Sequence, residues 1–226
     1  MKLNLPSLLT FNGGFVDTAG FLALQGLFTA HVTGNFVTLG ATLVSGSTGA
    51  VAKLLALPVF CLVVLAAGVA RRSMMRARAP ALKILLGAQW LLLAIGAALA
   101  IRLGPFTDGD AWPAIMTGMI LVMAMAIQNA VHRLHLPDAL PTTLMTGTVT
   151  QLMLHLSNRL AGEDVPRAGG PSRLANMAWT VATFALGCGA AAGLYLIGGA
   201  WAFALPPVLI GAALLIDEEK AMEKAL

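Results

Sequence analysis

Charge is scarce in this chain. Lys, Arg, Asp and Glu together make up 11% of its 226 residues, against about 25% in soluble domains. That is too little to coat a water-soluble body of this length, which excludes a soluble enzyme, a nucleic-acid binder and a disordered adaptor. Cysteine is scarcer still. Cys61 and Cys188 are the only two and both lie within apolar stretches, so neither a disulfide framework nor a zinc site is expected, and both read as small packing residues. Neither HExxH nor GxSxG occurs, and no second acid joins Asp17 deep in an apolar segment. An intramembrane enzyme therefore lacks its nucleophile, base or metal set, and no metal or cofactor is expected. The start, Met1 to Pro6, has no short apolar region ending in a small-residue cleavage site, so no removable signal peptide is expected.

Apolar residues fill the space that charge leaves. They reach 58% with a mean hydropathy of +0.83, against about 45 to 50% in soluble domains. The expectation is an all-α integral membrane protein, a single transmembrane domain over residues 1–226 with room for about six to eight spans. Eight apolar segments can be drawn. Two of them, Phe36 to Val44 and Leu144 to Leu156, reach only about 12 to 14 residues with their flanks, below the ~17 needed for a crossing, and read as half-helices.

Charge placement chooses between topologies, because Lys and Arg accumulate on the cytoplasmic side. If all eight segments cross, the 14 basic residues divide with no bias. If the short segments are absorbed as broken or re-entrant elements, one side gathers the basic residues from Arg71 to Lys83 with Lys2, Arg159, Arg167, Arg173, Lys220 and Lys224. Only Lys53, Arg102 and the acidic loop Asp108 to Asp110 fall opposite, with Arg133 undecided. Six crossings with both termini cytoplasmic follow. The net charge of +4 is thus an orientation signal rather than a nucleic-acid surface.

A repeat underlies this topology. An offset of 113 positions lays Thr29-Ala-His31-Val-Thr33-Gly34-Asn35 over Thr142-Thr-Leu-Met-Thr146-Gly147-Thr148, and Leu39 and Leu43 over Leu152 and Leu156. With one inserted residue, Asp17 falls opposite Asn129. Halves of about residues 7–103 and 112–217 would each hold three crossings, an odd number, so they would be inverted with respect to each other, as in many secondary transporters.

The run Gly14-Phe-Val-Asp17-Thr-Ala-Gly20-Phe-Leu, with His31-Val-Thr-Gly-Asn35, Gln128-Asn129-Ala and Met145-Thr-Gly-Thr148, resembles the YoaK or DUF1275 family of bacterial membrane proteins of unknown function. The resemblance spans nearly the whole chain and implies a multi-pass protein of the bacterial inner membrane. It implies no substrate and no mechanism.

Candidate site residues come from the breaks. Thr33 and Thr146 are expected as N-caps, while Gly34 and Gly147 let the backbone turn beside Asn35 and Thr148. Each break is expected to present unpaired N–H groups, tolerated in a membrane only where protein buries them or where they line a cavity. Two inverted half-helices would aim two positive dipole ends at one midplane site suited to an anionic or dipolar solute. Asp17 costs at least ~2.5 kcal/mol to insert as a charge, so it is either a proton carrier or an acceptor for the broken backbone near His31. His31 is either a second proton carrier or a packing residue. Gln128 and Asn129 are the counterparts of the Asp17 region in the second half. Gly13, Asp17, Gly20 and Leu24 form one helical stripe, and Gly118, Val122, Met125 and Asn129 the other.

Other features read as structural. His132 and His135 flank Arg133 at an expected interface, His155 ends a half-helix, and Met116, Met119, Met123 and Met125 fill apolar gaps. Gly189 to Gly193 form a GxxxG face with a looser counterpart at Ala66, Ala67 and Ala70, expected to bring helices close and compatible with a homodimer. Pro206 and Pro207 are expected to break or kink the last span. The functional expectation is a transporter or channel for a small anionic or dipolar solute, with proton coupling through Asp17 or His31. The alternative is a structural or partner-binding membrane protein. The partners expected are the lipid bilayer and a small molecule or ion, with no nucleic acid.

Overall fold

A computed structural model describes residues 4–162 and 170–215, with the side chains of 170–172 outside the description. Lys2, Arg167, Lys220 and Lys224, the tail Asp217 to Lys224 and the siting of both termini therefore lie outside the described residues. The chain forms α1 (Leu5–Ala23), α2 (Gly34–Ser45), α3 (Ala50–Arg76), α4 (Ala81–Leu103), α5 (Trp112–His135), α6 (Thr146–Leu160), α7 (Gly170–Gly198), a 3₁₀ segment (Gly199–Ala204) and α8 (Leu205–Leu214). Among the described residues there is no strand.

The element ends follow local chemistry. Asn4 caps α1, its side chain accepting from the Ser7 amide at 3.0 Å with Pro6 in the first turn, where its missing N–H costs nothing. Gly46, in the left-handed region at φ 66°, closes α2. Pro206 and Pro207, expected to break or kink the last span, stand in the first turn of α8, directly after the point where the 3₁₀ segment ends. They start a helix after the 3₁₀ segment, for the same reason that Pro6 starts α1.

Polarity is distributed inside out. Asn12, Gln89, Thr117 and Gln128 are wholly buried, while Leu62, Leu65 and Val69 on α3 and Leu186, Leu196 and Ile197 on α7 are exposed. Apolar surface on this scale is stable only against lipid, so the protein is membrane-embedded. Among the described residues four helical stretches are long and apolar enough to cross: Ala50–Arg76, Ala81–Leu103, Trp112–His135 and a continuous Arg173–Leu214. The six expected crossings are therefore not all visible by this criterion. α1 is diluted by Asn12, Asp17 and two threonines and is not among the four, and α7 and α8 count as one stretch.

α1 and α5 each bury more residues than any other element. α1 packs most extensively on α7, α5 on α4 and α3, α2 on α3 and α6 on α7. A Cβ on Gly14 would meet the Phe184 carbonyl, and one on Gly187 the Phe11 carbonyl, so these two glycines set the α1–α7 approach. The GxxxG face was expected to do this. Gly189 and Gly193 instead have nothing within 4 Å, because they lie on the side of α7 that no element among the described residues covers.

The α4–α5 loop is tied to the start of α3. Asp110 accepts from the Gly49 amide at 2.9 Å and the Val51 amide at 2.8 Å, the Gly109 amide donates to Thr48 Oγ1 at 2.9 Å, and Gln25 Nε2 donates to the Phe106 carbonyl at 2.9 Å. Asp110 thus caps α3 from a distance of 59 residues in sequence. Burial pushes its carboxyl upward, but the amides of Val51, Gly49 and Ala50 and the Lys53 charge outweigh that and hold it below the usual value. Lys53 is itself buried, its ammonium donating to the Gln25 carbonyl at 2.6 Å and Thr42 Oγ1 at 2.9 Å.

Candidate functional site

The first break begins where α1 ends, at a turn with Gln25 at φ 52° and Gly26 at φ 80°. The chain then runs back along α1, and Asp17 meets it. Asp17 Oδ1 accepts from the amides of Thr29 at 2.7 Å, Ala30 at 2.8 Å and His31 at 3.4 Å, with Thr29 Oγ1 at 3.4 Å. Asn35 clamps the same segment, its Oδ1 accepting from the Phe28 amide at 2.9 Å and its Nδ2 donating to the Phe28 carbonyl at 2.8 Å. The amides of Gly34, Asn35 and Phe36 fold back onto the carbonyls of His31, Val32 and Thr33.

This corrects two expectations. The first break does not present a row of free N–H groups, because one carboxylate oxygen takes the amides of Thr29 to His31, one amide side chain takes that of Phe28, and a tight first turn takes those of Gly34 to Phe36. Thr33 occupies the N-cap position but makes no capping bond, since its backbone is already helical at φ −72° and ψ −23° and its hydroxyl is not swung across the first amides.

The second break is built differently. Thr143 Oγ1 donates to Asn129 Oδ1 at 2.8 Å, and Asn129 Nδ2 donates to the Met125 carbonyl at 3.0 Å. Asn129 therefore meets a hydroxyl where Asp17 meets amides. Thr146 is not the N-cap: Met145 holds that position, Thr146 is the first helical residue and no side chain caps α6. Among the described residues the amides of Thr146, Gly147 and Thr148 donate to nothing, so the start of α6 keeps the free donors that α2 has lost. Thr148 Oγ1, two residues further on and buried, has no partner among the described residues.

A cavity of about 380 Å³ joins the two breaks. Asp17, Thr18, Phe21, Phe28 and His31 border it on one side, Thr143 to Thr146 on another, and Phe184 and Cys188 of α7 on a third. Phe21, Phe28 and His31 pack in series, with centroids 4.9 Å and 5.6 Å apart, so the histidine ring is held against an aromatic wall. Of the ten residues singled out in the sequence, Asp17, His31 and Thr146 line this cavity. Gly34 and Asn35 shape the first break behind it, Thr33 and Gly147 face outward, and Thr148 is buried at the start of α6. Asn129 instead borders a second cavity, of about 430 Å³, between α3 and α5.

Gln128 lies in neither. It is the centre of a buried amide cluster, its Oε1 accepting from Asn12 Nδ2 at 2.8 Å and Gln89 Nε2 at 2.9 Å and its Nε2 donating to the Leu9 carbonyl at 2.8 Å. Asn12 and Gln89 escaped the sequence reading, although each is a polar residue inside an apolar run, the signal that singled out Asp17. Thr18, Thr143 and the aromatic wall were also missed, since an apolar or hydroxyl residue in a membrane helix carries no signal of its own. Cys188 packs half-buried on the cavity, but Cys61 is exposed on α3 rather than packed, because α3 turns that face away from the bundle. Among the described residues no three His, Cys, Asp or Glu side chains gather closely enough to hold a metal.

The profile of one family, described as "Protein of unknown function (DUF1275)", matches residues 5–216. No curated protein and no solved structure matches the chain.

Proposed function

We propose, for a chain that belongs to the DUF1275 family, that it carries a small dipolar or anionic solute across the bacterial inner membrane through the cavity between its two breaks. Family membership supplies no activity, so the reading stands on the site. One observation carries it: a single cavity of about 380 Å³ has a carboxylate on one wall and an uncapped helix start on another. The Asp17 side suits a positive group or a proton. The α6 side suits a negative one, with a helix dipole worth about half a positive charge and free amides aimed outward. A zwitterion or a weak acid meets both.

Six crossings, cytoplasmic termini and an inverted repeat belong to the same proposal. The packing supports it, since α1 lies on α7 as α5 lies on α3, and α2 on α3 as α6 on α7. The breaks also exchange: a Cβ on Gly118 of α5 would meet Leu27 of the first break, and one on Gly13 of α1 the Thr142 carbonyl of the second. Proton coupling would run through Asp17, whose Oδ1 holds the loop amides while Oδ2 takes none of these bonds.

One observation favours the structural alternative. Asp17 satisfies three amides of the first break, a sufficient reason for its presence without any solute. Asp17→Asn separates the two readings, because the amide oxygen can keep those bonds while the charge is lost. Purified protein in liposomes with an internal pH dye and a voltage probe is challenged with amino acids, weak acids, small anions and cations. Transport predicts a solute-dependent signal that Asp17→Asn abolishes while its melting curve is retained. Silence across the panel with both proteins folded overturns the proposal.

A further inference from the structure

The second cavity has its own chemistry. It runs between α3 and α5, with Phe60, Leu65 and Val69 on its walls and Arg72 and Arg133 beside Asn129 at one end. No carboxylate among the described residues lines it. Basic character extends beyond its rim, where the buried nitrogens Arg71 Nε, His132 Nδ1 and His135 Nε2 all lack a hydrogen-bond partner among the described residues. Two guanidiniums at one end of a groove with no carboxylate among the described residues call for an anion.

The groove also specifies what is attached to that anion. Phe60 and Arg72 are twelve residues apart on one helix, a rise of about 18 Å. That is close to half of a ~30 Å hydrocarbon core, so the groove runs from the headgroup level to near the middle of the bilayer. Its outer wall is open to lipid, with Leu65 64% and Val69 57% exposed. A free phosphate would use the arginines and leave the apolar length empty; a zwitterionic lipid would fill the apolar length but bring a cationic headgroup beside two arginines with no carboxylate to receive it.

We infer that this groove is a binding site for one anionic phospholipid, with its phosphate on Arg72 and Arg133 and an acyl chain along Phe60, Leu65 and Val69. The site is separate from the cavity between the breaks, and the inference is independent of transport. Basic pockets between membrane helices are recognised anionic-lipid sites in general, and here the guanidiniums supply bidentate phosphate geometry.

The test is native mass spectrometry of the full chain released from detergent with added phosphatidylglycerol, phosphatidylcholine or glycerol phosphate. Arg72→Gln/Arg133→Gln removes the charge. Gly68→Leu fills the groove at a position with nothing within 4 Å of its Cβ, so it should fold and leaves both arginines in place. The expected result is one retained phosphatidylglycerol per chain, at least tenfold weaker retention in each variant, and no retention of glycerol phosphate. Equal retention of phosphatidylglycerol and phosphatidylcholine overturns the inference. So does competition by glycerol phosphate at the same concentration as lipid, which would make this a site for a free anion. Retention unchanged in folded Gly68→Leu also overturns it, by removing the acyl chain from the groove.

Discussion

Replacing Gly187 with Ala tests how the two longest-packed helices are held. A Cβ there would fall on the Phe11 carbonyl, with Phe11 C and Phe15 N both at 3.1 Å. These are backbone atoms of α1, so no side chain can rotate away and the helices must part by roughly 1 Å to restore ordinary contact distance. Overpacking of this kind costs about 1–3 kcal/mol. Against it stands a gain of up to about 1 kcal/mol in helix propensity from Gly to Ala. Gly189→Ala supplies the reference, because nothing lies within 4 Å of its Cβ and the propensity gain is common to both. The difference between the two variants therefore isolates the clash, about 1–3 kcal/mol. Reversible unfolding in mixed detergent micelles, followed by tryptophan fluorescence, measures it. Equal stability within about 0.5 kcal/mol, or a larger loss at Gly189, refutes the close approach through Gly14 and Gly187.

Three further outcomes follow from the geometry. Asp110→Ala removes a cap from two amides of α3 and should lower stability by about 1 kcal/mol in the same unfolding assay. Because the Asp110 carboxyl is held below its usual value, its contribution is full above the ordinary carboxylate pKa of about 3.9 and fades as pH falls through the lowered one. A wild-type advantage over Asp110→Asn that grows on acidification contradicts this. Asn35→Ala loses both bonds to Phe28 and should cost about 1–3 kcal/mol, whereas Thr33→Val, which loses no capping bond, should stay within about 0.5 kcal/mol; the reverse order would restore Thr33 as a cap. A charged methanethiosulfonate reagent should modify Cys188, which borders the cavity, before Cys61, which is exposed on a lipid-facing span, because a charged reagent reaches a thiol through water and not through hydrocarbon. Mass spectrometry showing Cys61 modified first would contradict the siting of both.

The breaks and half-helices were legible because glycine, threonine and short apolar length are local signals, readable without knowing what lies opposite. Asp17 was legible as an expense, and its bond to the backbone near His31 was one of two roles it could fill. The caps were misread, since Thr33 and Thr146 have capping chemistry but backbone angles decide whether it is used. The amide cluster depends on partners 39 to 119 residues apart, and the Asp110 cap on one 59 residues away. No local pattern encodes such pairings. Lys53 was read only as a charge on the side of the acidic loop Asp108 to Asp110; its burial on a carbonyl and a hydroxyl depends on the turn at Gln25 and had no local signal.

The loop from Gly104 to Asp110 joins the two halves of the sequence, and it is fastened at Gln25, Thr48, Gly49 and Val51, all on one side of that join. Mechanically it is therefore part of the first half, and the slack between the halves shrinks to the few residues at the start of α5, where Pro113 stiffens the entry. Any tilting of one half against the other would pivot at Ala111 and Trp112 and carry the whole loop with the first break. A chain opened at that point would yield two fragments with intact ends, whereas a cut a few residues earlier would leave the cap of α3 on the wrong piece.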